Sequence, residues 1–176
     1  LPLLEEEARR RDRVLRVHLK VDTGMGRLGT SPARVMDIVR DIQSCPHLEL
    51  EGICTHFSSV ASGNIEYTRD QLARFREVLD DLAREGIRPP VIHASNSVGI
   101  FTLPEAQFDM VRTGIALFGF DPGLFSSLHL PLQPALQLKT RIAFLKGVPE
   151  GTAIGYDQRH TTSRATRIAT CPVGYN

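Results

Sequence analysis

Polar groups that could bind an anion stand in and directly after a strand-like run near the beginning of the chain. The run continues into the motif HLKVDTGMGRLG, residues 18–29, where three glycines surround Arg27. Glycine lets the backbone approach a ligand closely, and an arginine held there can grip a carboxylate or phosphate with two parallel hydrogen bonds. An ordinary turn with a solvent-facing arginine explains the motif equally well.

Three further polar motifs are found in or after apolar runs: His56, Asn96-Ser97, and Arg112 followed by Gly114-Ile115. A charge within an apolar run must be paired or bind something charged, because burying it alone is costly. A hydroxyl and free backbone N–H groups suit a phosphate. Taken alone, His56 fits a hydrogen-bonded core histidine better, Asn96-Ser97 fits a turn, and Gly114 fits a packing position.

The hydrophobic periodicity predicts strands that alternate with amphipathic helices. The predicted strands are 15–21, 48–57, 90–96 and 110–119, and the predicted helices lie at 30–46 and 68–86. Thr68 and Gln71 have the spacing of a capping box, which would start the second helix. This alternation predicts right-handed βαβ units and a parallel sheet, with functional groups at the carboxyl ends of its strands.

The sequence changes character near residue 130. Pro122, Pro131 and Pro134 indicate a linker, and short β-like runs without helical periodicity follow at 136–148, 152–156 and 165–171. We therefore predict two parts, 1–130 and 131–176. A complete (β/α)8 barrel needs about 250 residues, so the first part can supply only about half of one.

Composition excludes several classes of protein. Hydrophobic residues make up 41% and charged residues 23%, which is typical of a soluble globular chain. The net charge of +1 gives no indication of a nucleic-acid or membrane partner. Three cysteines and six histidines show no metal-ligand spacing, and the cysteine usage favours a reducing cytoplasm over a disulfide framework.

The motif at 18–29 resembles the signature of alanine racemases, which are fold-type III pyridoxal-phosphate enzymes, and other stretches match this family in order from about Val17 to Tyr175. The resemblance implies an α/β fold: the second half of a (β/α)8 TIM-type barrel that binds pyridoxal 5′-phosphate, then the beginning of a mainly β domain. It also implies interconversion of L-alanine and D-alanine by two-base proton transfer, with D-alanine supplied to bacterial peptidoglycan.

The resemblance assigns roles to the polar motifs. Arg112 would hydrogen-bond the pyridine nitrogen of the cofactor and keep it neutral, because a guanidinium does not give up its proton. His56 would stand beside Arg112 and the catalytic tyrosine. Four residues would lie where the family binds the cofactor phosphate: Asn96, Ser97, Gly114 and Ile115.

Further roles concern the substrate and a second subunit. Tyr156 would be a catalytic base that completes the site of the partner in a homodimer, although Asp157 stands where the family commonly has glycine. Arg27 would orient the carboxylate of the substrate, alanine. Lys20 matches a lysine that is carbamylated in several family members, and an inward salt bridge is its simpler interpretation. The histidines other than His56 receive no role.

The family holds its cofactor covalently through a lysine on the first barrel strand, and the only lysines here are Lys20, Lys139 and Lys146. None has that context, so we expect a fragment that is inactive alone. A racemase of serine or of broader specificity is an alternative. A non-catalytic barrel that carries the cofactor is another, but it would need neither Tyr156 nor a β domain.

Overall fold

The computed structural model describes residues 1–59, 64–121, 123, 125 and 128–174. Two compact units make up the chain, residues 1–135 and 136–176. The sequence analysis predicts the boundary near residue 130. Pro122, one of the prolines on which that prediction depends, lies outside the described residues. No helix in the described ranges is long and apolar enough to cross a membrane.

The described residues of the first unit include three parallel strands and four α-helices. The strands are β1 (Leu15–Lys20), β2 (Leu48–Cys54) and β3 (Val91–His93), and the helices are α1 (Pro2–Arg10), α2 (Val35–Gln43), α3 (Ile65–Arg84) and α4 (Ser97–Thr102). β2 lies between β1 and β3, and both pairs run parallel. The predicted parallel βα arrangement is therefore confirmed.

One face of this sheet is apolar and the other is polar, because side chains alternate along a strand. Leu19 of β1 and Ile53 of β2 are buried in a core with Val39 of α2 and Phe75 of α3. The other face carries a set of polar side chains from all three strands: His18, Lys20, Cys54 and His93. Packing of α2 and α3 thus leaves the chemistry-bearing side chains on the face away from the helices.

The predicted strand at 110–119 is wrong. Met110 makes only a single bridge with His93, and Ile115–Phe118 is a 3-10 helix. The backbone N–H of Gly114 donates to Ser97 Oγ (2.7 Å) instead of to a neighbouring strand. The Gly114 N–H is therefore not available for a hydrogen bond to a neighbouring strand. The hydrophobic pattern does not predict this, because it contains no information about a side-chain acceptor from elsewhere in the chain.

The predicted capping box is also wrong. Helix α3 begins at Ile65, and its N-cap is Asn64, whose carboxamide accepts the backbone N–H three residues later (3.1 Å). Thr68 is buried inside the helix, and its hydroxyl donates to the Asn64 carbonyl (3.2 Å). Gln71 is buried too, and its Oε1 accepts the Ser58 backbone N–H (3.0 Å). Asparagine is as good a cap as threonine, so the helix starts earlier.

The second unit is built from short antiparallel strands, as the prediction of a mainly β part requires. β4 (Phe144–Val148) pairs with β7 (Thr166–Thr170), and β5 (Ala153–Ile154) pairs with β6 (His160–Thr161). The buried Thr162 hydroxyl accepts the Thr152 N–H (3.0 Å) and donates to the Pro149 carbonyl (2.9 Å).

Candidate functional site

The glycine motif forms a turn around the carboxylate of Asp22. Asp22 Oδ1 accepts the backbone N–H groups of Gly24 (3.0 Å), Met25 (2.9 Å) and Gly26 (3.0 Å). The hydrogen bonds from Gly26 and Gly24 are the main causes that lower the pKa of Asp22, since they favour the ionised form. Asp22 therefore fixes the backbone that leads to Arg27.

Helix α3 holds the same turn from outside. Tyr67 Oη donates to the Gly24 carbonyl (3.0 Å), and Arg74 Nη1 donates to the Thr23 carbonyl (2.8 Å). A Cβ on Gly24 would stand 2.4 Å from Tyr67 Oη, and its φ of 138° lies in the left-handed region. Only glycine suits both conditions at this position.

Arg112 is partly buried and is held by groups that follow β2 and β3. Its Nη2 donates to the carbonyls of Thr55 (2.7 Å) and Ala94 (3.0 Å) and to Nδ1 of His56 (3.3 Å), and its Nη1 contacts Nδ1 of His93. Burial lowers the pKa of Arg112, but a guanidinium stays charged at neutral pH. The Arg112 guanidinium, whose charge stands within an apolar run of the sequence, is therefore hydrogen-bonded to two carbonyl oxygens and two imidazole nitrogens.

A pocket of about 280 Å³ lies at the carboxyl ends of β2 and β3. Val98 lines it together with the six residues for which the family resemblance predicts a cofactor role: His56, Asn96, Ser97, Arg112, Gly114 and Ile115. Their roles remain predictions. Their convergence from three separate stretches of sequence is the property that a binding site requires.

Ser97 and Asn96 are placed by hydrogen bonds at the start of α4. Ser97 Oγ accepts the N–H groups of Gly114 (2.7 Å) and Ala116 (3.3 Å), so its own proton remains available to an acceptor. Asn96 Oδ1 caps α4 through the Gly99 N–H (3.1 Å), and its Nδ2 donates to the Phe57 carbonyl (3.1 Å). Asn96 therefore shapes this wall of the pocket, and Ser97 offers a donor.

The imidazole of His56 sits in a positive field. Burial is the largest cause that lowers the pKa of His56, and the charges of Arg112, Lys20 and Arg27 lower it further. His56 is therefore neutral at physiological pH, as its Nδ1 must be to accept from Arg112.

Arg27 and Lys20 lie outside the lining of this pocket. Arg27 is exposed on the glycine turn, and Lys20 is partly buried at the end of β1. Within the described part of the chain, no carboxylate lies within 4.0 Å of the Lys20 ammonium. The inward salt bridge of Lys20, for which Asp22 is one candidate partner, is not formed, and the Asp22 carboxylate accepts backbone N–H groups instead.

His93 and His18 belong to the surroundings of Arg112, although the sequence analysis predicts no role for them. His93 is buried on β3, and its Nε2 lies 2.8 Å from Nδ1 of His18 on β1. Burial first, then Arg112 and His18, lower the pKa of His93 to about 4. The signal that could have found His18 is its alternation with Lys20, because residues two apart share a face of a strand.

Tyr156 belongs to the second unit and is 84% exposed. It follows Gly155 and begins a 3-10 helix, Tyr156–Gln158. Asp157 adopts a left-handed φ of 56°, a conformation that glycine accepts freely and that aspartate accepts better than most residues. The Asp157 carboxylate pairs with Arg159 Nη2 (3.5 Å) at the surface.

Fold and site together define a class: part of a βα-barrel protein with a polar pocket at the strand ends, followed by a β unit. Residues 1–122 match the family "Alanine racemase, N-terminal domain", and residues 135–176 match "Alanine racemase, C-terminal domain". The chain therefore belongs to the alanine racemase family.

Individual relatives agree with this assignment. The alanine racemase of Symbiobacterium thermophilum is 45% identical over 172 residues, which are 98% of this chain and 46% of the relative. An alanine racemase structure from Clostridium difficile 630 matches with a TM-score of 0.84 at 35% identity, over 97% of this chain and 45% of that one. A histidine racemase from Leuconostoc mesenteroides matches with a TM-score of 0.79 at 28% identity, over 97% and 46%. The chain thus spans less than half the length of these relatives.

Proposed function

We propose that the full-length protein is a pyridoxal-phosphate-dependent alanine racemase that interconverts L-alanine and D-alanine by two-base proton transfer. The observation that carries this proposal is the single pocket that joins His56, Asn96-Ser97, Arg112 and Gly114-Ile115. Supply of D-alanine for peptidoglycan, a cytoplasmic location and a homodimer belong to the same proposal.

The residues present fit a phosphate-bearing ring with a nitrogen acceptor. A Cβ on Gly114 would stand 3.7 Å from Ser97 Oγ, so glycine keeps open the space next to this hydroxyl. The Ser97 hydroxyl, whose own proton is not used by its hydrogen bonds with the Gly114 and Ala116 N–H groups, is a donor that a phosphate takes. The volume of about 280 Å³ is near the lower end for small-molecule sites, roughly 300–1,000 Å³.

Arg112 has the donors to serve a ring nitrogen. Its four hydrogen bonds to described residues use at most three of its five N–H groups, because three of them share the two N–H groups of Nη2, so at least two remain for a ligand. A nitrogen that accepts from Arg112 stays neutral, because the guanidinium keeps its proton. Pyridoxal 5′-phosphate, when bound, supplies the electron sink that acidifies the Cα–H of an amino acid.

Protons at Cα are then exchanged by bases on opposite faces. Tyr156 would take and return the proton on one face in the partner's site, and a lysine that the family resemblance places outside this chain would serve the other. A tyrosine needs nearby positive charge to act as a base, since its ordinary pKa is about 10. Arg27 would bind the substrate carboxylate, and Lys20, which has no carboxylate partner among the described residues, would orient Arg27 as a carbamate.

A chiral assay of the full-length protein tests this function. We expect alanine to be racemised with a kcat/KM at least about tenfold above that for serine, lysine and histidine, since one extra or missing group in a pocket is worth about 1–3 kcal/mol. Removal of pyridoxal phosphate should abolish turnover, and its return should restore it. Cofactor binding without racemisation of any amino acid would indicate a non-catalytic carrier.

A racemase of broader or different specificity is the second candidate. The histidine racemase of Leuconostoc mesenteroides matches this chain with a TM-score of 0.79, so the fold alone does not select alanine. Faster racemisation of histidine or serine than of alanine in the same assay would favour this candidate.

A further inference from the structure

A chain of hydrogen bonds leads from Arg112 to the outer part of β1 and β2, on the polar face of the sheet. Arg112 Nη1 contacts Nδ1 of His93. Nε2 of His93 lies 2.8 Å from Nδ1 of His18, and Nε2 of His18 lies 3.2 Å from Oε2 of Glu51. Arg16 Nη1 reaches the other oxygen of Glu51 (3.0 Å). Two imidazoles thus connect a group in the pocket to an exposed ion pair.

The chemistry of the two ends fixes the direction of every bond in this chain. An arginine can only donate, so Nδ1 of His93 accepts and its proton is on Nε2. That proton is donated to Nδ1 of His18, whose own proton is therefore on Nε2 and is donated to Glu51. Both histidines are neutral in the Nε2–H form.

The backbone is arranged to allow this chain. The register of β1 and β2 shifts between Val17 and His18, so Glu51 is the extra residue of a β-bulge. Gly52 follows it, and a Cβ there would lie 2.6 Å from both Cε1 and Nδ1 of His18. The bulge and the glycine together admit a ring where a side chain would otherwise stand.

We propose that His93 and His18 are positioning residues for Arg112, and that protonation of His18 withdraws His93 from Arg112. The proposal rests on the proposed function, because Arg112 is placed for a cofactor. A proton added to Nδ1 of His18 turns that nitrogen into a donor. His93 Nε2 must then accept, its proton moves to Nδ1, and an N–H faces the N–H groups of the guanidinium.

The other titratable or charged groups that face these histidines either oppose a second proton on His93 or stay in one ionisation state. They come from β1, β2 and the segment after α4: Arg16, Lys20, Glu51, Cys54 and Arg112. Arg112 and Lys20 are cations, which oppose a second proton on His93. Glu51 favours a proton on His18 but is already held by Arg16, and burial raises the pKa of the Cys54 thiol, which keeps it neutral.

The first test reads the tautomers directly. Nitrogen-15 NMR of histidine-labelled full-length protein without cofactor should show His93 and His18 protonated on Nε2 alone at pH 8. Lowering the pH from about 8 to 5 should move the His93 proton from Nε2 to Nδ1 once Nδ1 of His18 carries a proton and donates. An Nδ1–H form of His93 at pH 8 would overturn the proposal.

The second test uses substitutions of His18. His18→Gln keeps an oxygen that accepts from His93 and an amide that donates to Glu51, but it cannot be protonated. The native protein should bind pyridoxal phosphate more weakly toward pH 5, because His93 no longer accepts from Arg112. We expect His18→Gln to bind with near-native affinity at pH 8 and not to show this decline. His18→Leu, which removes the acceptor, should bind about tenfold more weakly at every pH, because a lost hydrogen bond to this network is worth on the order of 1–1.5 kcal/mol.

A matched control is available within the chain. His47 Nδ1 lies 2.7 Å from Oε1 of Glu5, a histidine–carboxylate pair outside the site. His47→Gln should keep the native dependence of cofactor affinity on pH. Dividing the affinity of His18→Gln by that of His47→Gln at each pH removes the effect of titration of the cofactor itself. A native profile in His18→Gln would overturn the proposal. Since the tautomers are observed without cofactor or turnover, a failed racemase assay counts against the proposed function and not against this hydrogen-bond chain.

Discussion

Arg112 is held in the pocket by four hydrogen-bond partners. It binds two backbone carbonyls and two imidazoles, so its position is set by groups that follow both β2 and β3. A substitution there changes the electronic partner of a bound ring as well as the local packing. The two effects can be separated by the products that the enzyme forms.

Arg112→Glu in the full-length protein should lower racemase kcat by about 10²–10³, the cost of removing one preorganised donor. A carboxyl group would favour a protonated ring nitrogen, so conversion of cofactor to pyridoxamine phosphate should increase. Chromatography of the cofactor after turnover measures this. Arg112→Lys, which keeps the charge, should lose activity without this side product. Unchanged kinetics and product purity in Arg112→Glu would contradict the role of Arg112.

Tyr156→Phe tests the second base. The variant should bind cofactor nearly as well as the native protein, because Tyr156 lies outside the residues that line the pocket. Solvent deuterium should then enter Cα from one enantiomer at least about 10²-fold more slowly and from the other with a smaller loss, since only one face loses its base.

The neighbouring Asp157→Gly supplies the control for Tyr156→Phe. Its left-handed φ of 56° favours glycine, so this variant should fold and should leave the two enantiomers equally affected. Equal, mild losses for both enantiomers in Tyr156→Phe would make Tyr156 a structural residue.

Among the elements, the glycine turn after β1 leaves no room for a side chain at Gly29. A Cβ on Gly29 would stand 2.9 Å from the Lys20 carbonyl and 3.0 Å from the Asp22 N–H, with a φ of 119°. Gly26, in the same turn, has open space around it and a φ of 69°. A substitution at Gly29 thus combines a steric conflict with an unfavourable φ, whereas a substitution at Gly26 has an unfavourable φ alone.

Gly29→Ala should destabilise the full-length protein by about 2–3 kcal/mol, because it adds a backbone conflict to an unfavourable φ. Gly26→Ala should cost only about 1 kcal/mol, since it meets no atom. The midpoints of urea unfolding measure both. Equal shifts for the two variants would mean that the turn moves to accept the methyl group.

The sequence predicts these elements unequally well. Strands β1 and β2 and helix α2 follow from periodicity, because each buries one apolar face. The segment 110–119 is equally apolar, but Ser97 takes the N–H of Gly114 and no strand forms. The pocket residues follow from the family resemblance. His18 and His93 do not, because their contact depends on a register shift between β1 and β2 that no local pattern specifies.

At the scale of the whole molecule, the buried histidine His93 makes folding depend on pH. Its pKa is lowered to about 4 in the folded protein, against about 6.5 in an unfolded chain. The unfolded chain therefore binds the proton first as the pH falls. The contribution of neutral His93 to the free energy of unfolding is present above pH 6.5 and is lost as the pH falls from 6.5 to 4.

We expect this loss to reach about 2–3 kcal/mol by pH 4.5, with a smaller part from His56, whose pKa is lowered as well. Urea unfolding of the full-length protein at pH 7, 5.5 and 4.5 measures it. His93→Gln should flatten the profile. A His93→Gln profile as steep as the native one would assign the loss to other groups.

The absence of a side chain at Gly52 has a consequence for how this sequence can evolve. His18 and the Val91 carbonyl oxygen both lie too close to the position that a Cβ would take there, the oxygen at 2.7 Å. A change of Gly52 to alanine is therefore deleterious in the presence of His18 and less so after His18 has become small. Residues 18 and 52, which lie on different strands, should show epistasis in a mutational scan, and rescue should remain partial because the carbonyl stays in place.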